Sequence, residues 1–389
     1  MEGNLENSCG KNSFWKPLSI YVGTAIGAGI FSIPYVMAKF GFLPSLAYMA
    51  GLTIVNLLIN LFYGEVVLRT DGNRQMVGYA GKYLNKFGKR AGLVILVSSS
   101  YGALLVYALG FGRFLSAVLS PCLGGTPFSY SLFFFLAMGA IVFCGIKLVT
   151  KAELVMGFFL VATTLALLFL GWPSIRWENF LSFHPENFFL PYGVILFAIG
   201  AVVVIPLMKE SMGEGDSRAF RKAIIVGSLV SFAVYLTFAF VIVGITGEST
   251  SPEGIVGLGN LLGKKFLIIG SIFGALTMTT SFLTHSLVLK DMYALDCKMS
   301  RGWSWLLTCA VPLAIFLLGL NDFIKMISLV GAILGGLRCI LIILIWIQSR
   351  KKGDRQPEYS MGSHRIVVPV LLLVFALGIA YQIFYALKK

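Results

Sequence analysis

A chain of 389 residues that is 57% hydrophobic and 12% charged, with a mean hydropathy of +0.86, is not a water-soluble protein. Soluble domains are about 45–50% apolar and about 25% charged, and the same arithmetic excludes collagen, coiled coils, disordered chains and secreted disulfide scaffolds. A net charge of +14 would suggest a nucleic-acid partner in a soluble chain; here it reflects the loop charges that orient a polytopic helical membrane protein, and no nucleic-acid partner is expected.

Residues 1–13 are polar with mixed charge and lack the basic-then-apolar order of a cleaved signal peptide, so the first apolar run is expected to belong to the working protein. Crossing a ~30 Å hydrocarbon core takes about 20 apolar residues. Eleven such runs follow, at 14–39, 43–68, 91–118, 129–147, 152–172, 188–209, 223–246, 262–290, 303–320, 325–347 and 366–387. With the N-terminus in the cytoplasm, internal segments hold 22 Lys and Arg and external ones 8, while Arg338 lies within span ten. That bias predicts a multi-pass protein of the cell membrane with its N-terminus inside and its C-terminus outside.

The polar stretch 71–90 carries Tyr79, Tyr83 and Phe87 among basic residues and is expected to form a cytoplasmic loop with an interfacial helix. The sizeable external loops are 173–187 and 247–261. No soluble domain is predicted, so chemistry must occur between the helices of one transmembrane unit, 1–389. The cysteines Cys9, Cys122, Cys144, Cys297, Cys309 and Cys339 form no CxxC pair, and only Cys122 is external, which supports neither a disulfide framework nor a zinc site. A membrane-embedded enzyme would need clustered acids or histidines; Glu178, His184 and Glu186 are the external candidates and their spacing forms no recognisable ligand set. A channel would need rings of pore charge, which are not visible.

Span one reads Gly23-Thr-Ala-Ile-Gly-Ala-Gly-Ile-Phe-Ser-Ile-Pro34. Three glycines and a proline sit poorly in a continuous helix, since each glycine costs roughly 1 kcal/mol and the proline removes a hydrogen bond. Span six repeats the pattern: Ala-Ile-Gly-Ala occurs at 25–28 and 198–201, and Ile-Pro closes each stretch at 33–34 and 205–206. Five spans between the copies invert the second, giving a five-plus-five inverted repeat, 14–172 and 188–347, with helix 366–387 outside it. Broken helices in matching places of inverted halves mark secondary-transporter sites, because unwound backbone at mid-membrane is tolerated only where a ligand or cavity satisfies it.

The stretches GTAIGAGIFSIP in span one, YGVILFAIGAVVVIP in span six and TTSFLTHSLVLKDMYAL in span eight make the chain similar to the bacterial aromatic and hydroxy amino acid permeases, relatives of the amino acid/auxin permeases in the amino acid–polyamine–organocation superfamily. The resemblance implies an all-α fold of the leucine-transporter type and secondary transport of amino acids, with no enzymatic activity. It further implies that the backbone of Ile26, Gly27, Ala28 and Gly29 holds the substrate carboxylate at a half-helix N-terminus. The carbonyls of Ala25, Phe197 and Ala198 would take the ammonium, with Gly200 permitting the second break. Tyr101 and Tyr107 of span three are expected near the substrate. A sodium ion would lie between spans one and eight, on the carbonyls of Gly23, Ile26 and Thr277 and the hydroxyls of Thr280 and Ser281, a hard oxygen set.

Ionisable residues within spans are functional candidates. Glu65 and Arg338 are expected to form an ion pair or gate latch, His285 to be a packed core histidine, and Glu65 or His285 to serve as proton carrier should coupling be to H+ rather than Na+. The stretch 155–170 of span five has no lysine to replace a sodium ion. With no charge expected in the pocket, the substrate is expected to be a neutral amino acid, aromatic or branched aliphatic, and no other cofactor is expected; oligomeric state is not legible.

Overall fold

A computed structural model describes residues 3–144, 149–212, 217–319, 322–362 and 365–388. Among them are fifteen α-helices and no extended strand. Span one is two helices, α1 (Gly3–Ala25) and α2 (Gly29–Phe40), which meet at 52°. Span two is α3 (Phe42–Leu68). Span three is α4 (Met76–Leu123), in which left-handed Asn85 separates the expected interfacial helix from the span. Then follow α5 (Pro127–Cys144), α6 (Val149–Gly171) and the two parts of span six, α7 (Leu190–Ala198) and α8 (Ile205–Met212). Span seven is α9 (Ser217–Thr246), α10 (Ile255–Leu262) lies in the second large external loop, and span eight is α11 (Lys264–Leu295). The chain ends with α12 (Arg301–Leu317), α13 (Phe323–Leu329), α14 (Gly336–Lys352) and α15 (Val367–Lys388).

Among the described residues seven helical segments are long and apolar enough to cross a membrane, and the bent α1–α2 pair makes an eighth. The shorter apolar helices Pro127–Phe143, Val161–Ser174 and Arg301–Leu317 occupy the three remaining predicted spans. The ends of spans four and nine, at 145–147 and residue 320, fall outside the described residues. Exposed Phe158, Phe169, Leu317, Leu373 and Leu377 cover the outer faces of α6, α12 and α15, as lipid-facing helices require.

Inside a bilayer there is little hydrophobic drive between helices, so close approach through small residues does the packing. A Cβ built on Gly29 would collide with Cα and Cβ of Ala198, and one on Gly331 with the carbonyl of Gly193. These two contacts bring the first break, the second break and span ten together. Span ten is itself irregular: residues Val330–Gly335 between α13 and α14 form a turn of π-helix, the kind of bulge that turns later side chains to a new face. Polar bonds then tie α1, α3 and α9 together. Tyr21 Oη lies 2.8 Å from Ser228 Oγ and accepts a bond from Asn60 Nδ2 at 2.7 Å, all three buried.

Candidate functional site

Both breaks open onto one cavity. Its walls are Thr24, Ala25, Gly27, Ala28 and Gly29 of span one, Phe197, Ala198, Gly200 and Val203 of span six, Ser99, Ser100, Ala103 and Tyr107 of α4, His285 of α11, and Val330, Gly331, Gly335 and Arg338 of span ten. The volume of about 30 Å³ suits roughly two water molecules and is too small for an amino acid in this conformation.

Most of the expected substrate residues meet here, with two exceptions. Ile26 is buried behind the wall rather than in it. Tyr101 is also absent from the wall, and its hydroxyl lies 2.7 Å from that of Tyr293 on α11. Six residues are about one and two-thirds turns, so Tyr101 and Tyr107 cannot share a helix face, and it is Tyr107 that reaches the cavity.

The backbone around the first break narrows the carboxylate site. The amide of Ile26 donates to Val22 O and that of Gly27 to Ala25 O, each at 2.9 Å. Ala28 and Gly29 keep amides with no acceptor among the described residues, at the start of α2 where the helix dipole is positive. The carbonyls are held by two residues that inspection of local motifs does not single out. The hydroxyl of Tyr235, buried at 0% exposure on α9, stands within hydrogen-bond reach of the carbonyls of Ala25 and, at 2.8 Å, Ala198, which share its one proton. Asn56 Nδ2 on α3 donates to Ile199 O at 2.6 Å. One hydroxyl thus bridges both breaks. Tyr235 stands in the middle of run 223–246, too deep for an interface belt, and that depth is the signal by which the sequence could have marked it.

At the expected cation site, a Cβ on Gly27 would lie 3.0 Å from Ser281 Oγ, so α11 abuts the first break through that serine. Thr280 Oγ1 donates back to Thr277 O at 3.1 Å and Thr277 Oγ1 to Phe273 O at 3.0 Å, the usual habit of hydroxyls in membrane helices. Gly23 lies one residue before Thr24, whose hydroxyl is buried without a partner among the described residues.

The ionisable residues depart most from expectation. Glu65 does not pair with Arg338. Its carboxylate, 0% exposed, meets Arg69 at 2.7 Å and accepts from Trp346 Nε1 at 2.9 Å, Ser360 Oγ at 3.0 Å and the amide of Met361 at 2.9 Å. With the bond from Arg355 Nε to Leu68 O (2.6 Å) and that from Tyr359 Oη to Leu61 O (2.9 Å), this fastens loop 353–362 to the end of α3. Arg69 follows Glu65 by one turn, the better placed partner. Glu65 is therefore an anchor away from the cavity. His285 and Arg338, expected outside the pocket, line it instead. His285 Nδ1 lies 3.1 Å from Ser281 O, and its ring packs edge-on against Tyr107. Arg338 is turned inward beyond the π-helical turn. Its Nη2 lies 3.1 Å from where a Gly200 side chain would begin, and its Nε is buried with no acceptor among the described residues.

Comparison with known proteins identifies the family and the fold. The model of the tryptophan/tyrosine permease family matches residues 10–384. The chain is 25% identical over 355 residues to glutamine transporter 2 of Aliivibrio fischeri, covering 88% of this chain and 90% of that protein. It is 24% identical over 374 residues to tyrosine-specific transport system 1 of Haemophilus influenzae (91% and 92%), and 25% identical over 402 residues to the tryptophan-specific transport protein of Pseudomonas aeruginosa (93% and 92%). Among solved structures, MhsT in complex with L-phenylalanine is similar with a TM-score of 0.66 at 16% identity, covering 94% of this chain and 98% of that one. That likeness shows the fold, the five-plus-five leucine-transporter type with α15 added. A family match along nearly its whole length makes this chain a member of the tryptophan/tyrosine permease family, an amino acid transporter and not an enzyme.

Proposed function

We propose that this protein imports neutral amino acids by alternating access, preferring aromatic side chains and admitting branched aliphatic ones, and that Na+ drives the import. The observation that carries this is the meeting of two matched backbone breaks at one cavity, where the Ala28 and Gly29 amides are free for a carboxylate. The carbonyl of Ala198 retains a lone pair for the ammonium after Tyr235 is served, whereas Ala25 O already accepts from the Gly27 amide as well. Phe197 O is a poorer choice, since it and Arg338 Nη2 each lie 3.1 Å from the same point beside Gly200. Neutrality cannot rest on an uncharged pocket, given Arg338 and His285; it rests on relatives named for glutamine, tyrosine and tryptophan. Aromatic preference follows from Tyr107 and Phe197, whose rings stand 6.3 Å apart in the wall.

The cation reading is supported by Ser281 against Gly27, with Gly23, Ile26, Thr277 and Thr280 completing the oxygen set. Proton coupling through His285 is the second reading, favoured by its place in the wall; Arg338 already puts one positive charge there, which weighs against another. The lipid bilayer is the working environment, with the N-terminus in the cytoplasm and the C-terminus outside, as the loop cations indicate, and the repeat halves are 14–172 and 188–347. The test is tyrosine uptake into proteoliposomes under an imposed Na+ gradient at fixed pH, then under a pH gradient without Na+. Uptake that follows the Na+ gradient and falls with Ser281→Ala is expected. Uptake that follows only the pH gradient and ignores Ser281→Ala refutes the sodium site, and absence of any amino acid uptake refutes the transport reading.

A further inference from the structure

The cavity wall holds a guanidinium and no carboxylate. Among its lining residues there is no Asp or Glu, and Glu65, the acid whose depth and position best fitted a partner, is committed to Arg69. Arg338 Nε is buried without an acceptor among the described residues, and Nη2 fits into the notch left by Gly200. A half-buried cation with no counter-charge is unfavourable unless water or a bound group supplies acceptors. The guanidinium carries five N–H donors in a fixed fork and accepts nothing. An oxygen of the transported molecule, entering this cavity in place of water, would supply such an acceptor.

Two oxygens are available on such a molecule, the carboxylate and the side-chain tip. The carboxylate has its own donors in the Ala28 and Gly29 amides. Those amides and Arg338 meet the second break at different residues: Gly29 packs on Ala198, whereas Arg338 Nη2 lies beside Gly200. A substrate anchored by its backbone at Gly29 extends its side chain past the break toward Arg338. Resting on the amino acid site proposed above, we propose that Arg338 is the specificity-determining residue. It donates to an acceptor oxygen at the tip of a neutral side chain, a phenol or carboxamide, so the protein takes tyrosine- and glutamine-like substrates over the corresponding hydrocarbon ones.

The test is binding of four ligands to the full chain in detergent, by calorimetry: tyrosine, phenylalanine, glutamine and leucine. Wild type is expected to bind tyrosine more tightly than phenylalanine, and glutamine more tightly than leucine, by about ten- to a hundredfold, the range for a hydrogen bond to a charged donor. Arg338→Met should erase both preferences, lowering tyrosine and glutamine by that factor and changing phenylalanine and leucine less than about threefold. Arg338→Lys, a point charge without the fork, should restore part of the loss. Thermal unfolding without ligand keeps the result interpretable, since removing an unpaired buried charge should leave the melting temperature unchanged or raised. An equal loss for all four ligands would overturn the proposal, because the arginine would then serve the shared carboxylate or the fold. A wild type that binds phenylalanine and leucine as well as their polar counterparts would overturn it while leaving the transport reading intact. A wild type that binds none of the four removes the site on which both rest.

Discussion

The two copies of Ala-Ile-Gly-Ala open the backbone to different extents. At 25–28 the helix stops, the chain bends by 52°, and two amides remain free. At 198–201 the helix loosens at Ile199 and Gly200, passes through a 3-10 turn at Ala201–Val204, and resumes at Ile205, so that Leu190–Met212 still counts as one span. Glycine number separates them. Gly23, Gly27 and Gly29 flank the first break, whereas Gly200 stands alone in the second, and each removes roughly 1 kcal/mol of helix preference. The first break is the donor end, with unoccupied amides. The second is the acceptor end, and two neighbouring helices hold its carbonyls through Tyr235 and Asn56. A repeated motif thus marks where a helix will yield, and its neighbours decide how far.

The sharpest way to break the comparison is one methyl group placed in each copy. In Gly29→Ala the new Cβ collides with the backbone of Ala198, which cannot move without parting the two spans. The cost should reach the upper end of the about 1–3 kcal/mol typical of overpacking, and uptake should be abolished. Gly29→Leu should fail in folding as well as in transport, even though it raises the hydropathy of the span. Gly200→Ala meets the mobile end of Arg338 and the carbonyl of Phe197, each at 3.1 Å, a tight contact but no collision, and should cost about 1 kcal/mol, less than Gly29→Ala, with weaker binding of polar-tipped substrates. Thermal unfolding of both variants in detergent checks the order. Equal effects would mean that the two breaks are equally tight.

Removing the shared hydroxyl should come next in size. Tyr235→Phe removes the one donor that the carbonyls of Ala25 and Ala198 share while keeping the ring, and about 1–2 kcal/mol of stability should be lost. Asn56→Ala affects the second break alone, through Ile199 O, and about 1 kcal/mol is expected. The double variant should be less than additive, because both residues hold the same short stretch of backbone. Strict additivity would show that Tyr235 acts at the first break only.

The difference between what could and could not be read from the sequence has the same origin. Hydropathy locates the spans because the bilayer imposes a length on every crossing, and glycine with proline locates the breaks because their effect is local. Tyr235 and Asn56 act across 37 to 210 residues of sequence, with nothing in their own helices to announce it. Arg338 was visible as an ionisable residue in a span, but its direction was not. The π-helical turn at Val330–Gly335 displaces the helical register just before it, so spacing along span ten points the side chain to the wrong face. For Tyr101 and Tyr107 plain helical geometry excludes a shared face, but only the packing of α4 shows that Tyr107 is the one in the wall.

Outside the membrane the two broken spans are joined to each other, and this gives the smallest effect. The amide of His184 donates to Phe40 O at 2.9 Å and Asn187 Nδ2 to Lys39 O at 2.8 Å, so the loop that leads into α7 is fastened to the end of α2. Lys39 Nζ donates in turn to Glu248 O at 3.0 Å, and His184 Nε2 lies 3.0 Å from Glu248 Oε1. The hydrogen bond to Glu248, assisted by the charges of Glu248 and Glu186, raises the His184 pKa above its ordinary value of about 6.5. A raised folded-state pKa stabilises the protein fully below the unfolded value and loses that contribution as pH rises through the folded one. The clip between the outer ends of spans one and six should therefore hold at about pH 5.5 and relax at about pH 8.5. The side chain is exposed, so the gain is small and screened by salt. His184→Gln should lower the melting temperature slightly at the acid pH in low salt and leave it unchanged at the alkaline one, while Gly29→Ala lowers it at both. A His184→Gln deficit that persisted at the alkaline pH would show that the imidazole packs rather than pairs, and that the outer ends are joined by the Phe40 and Lys39 carbonyl bonds alone.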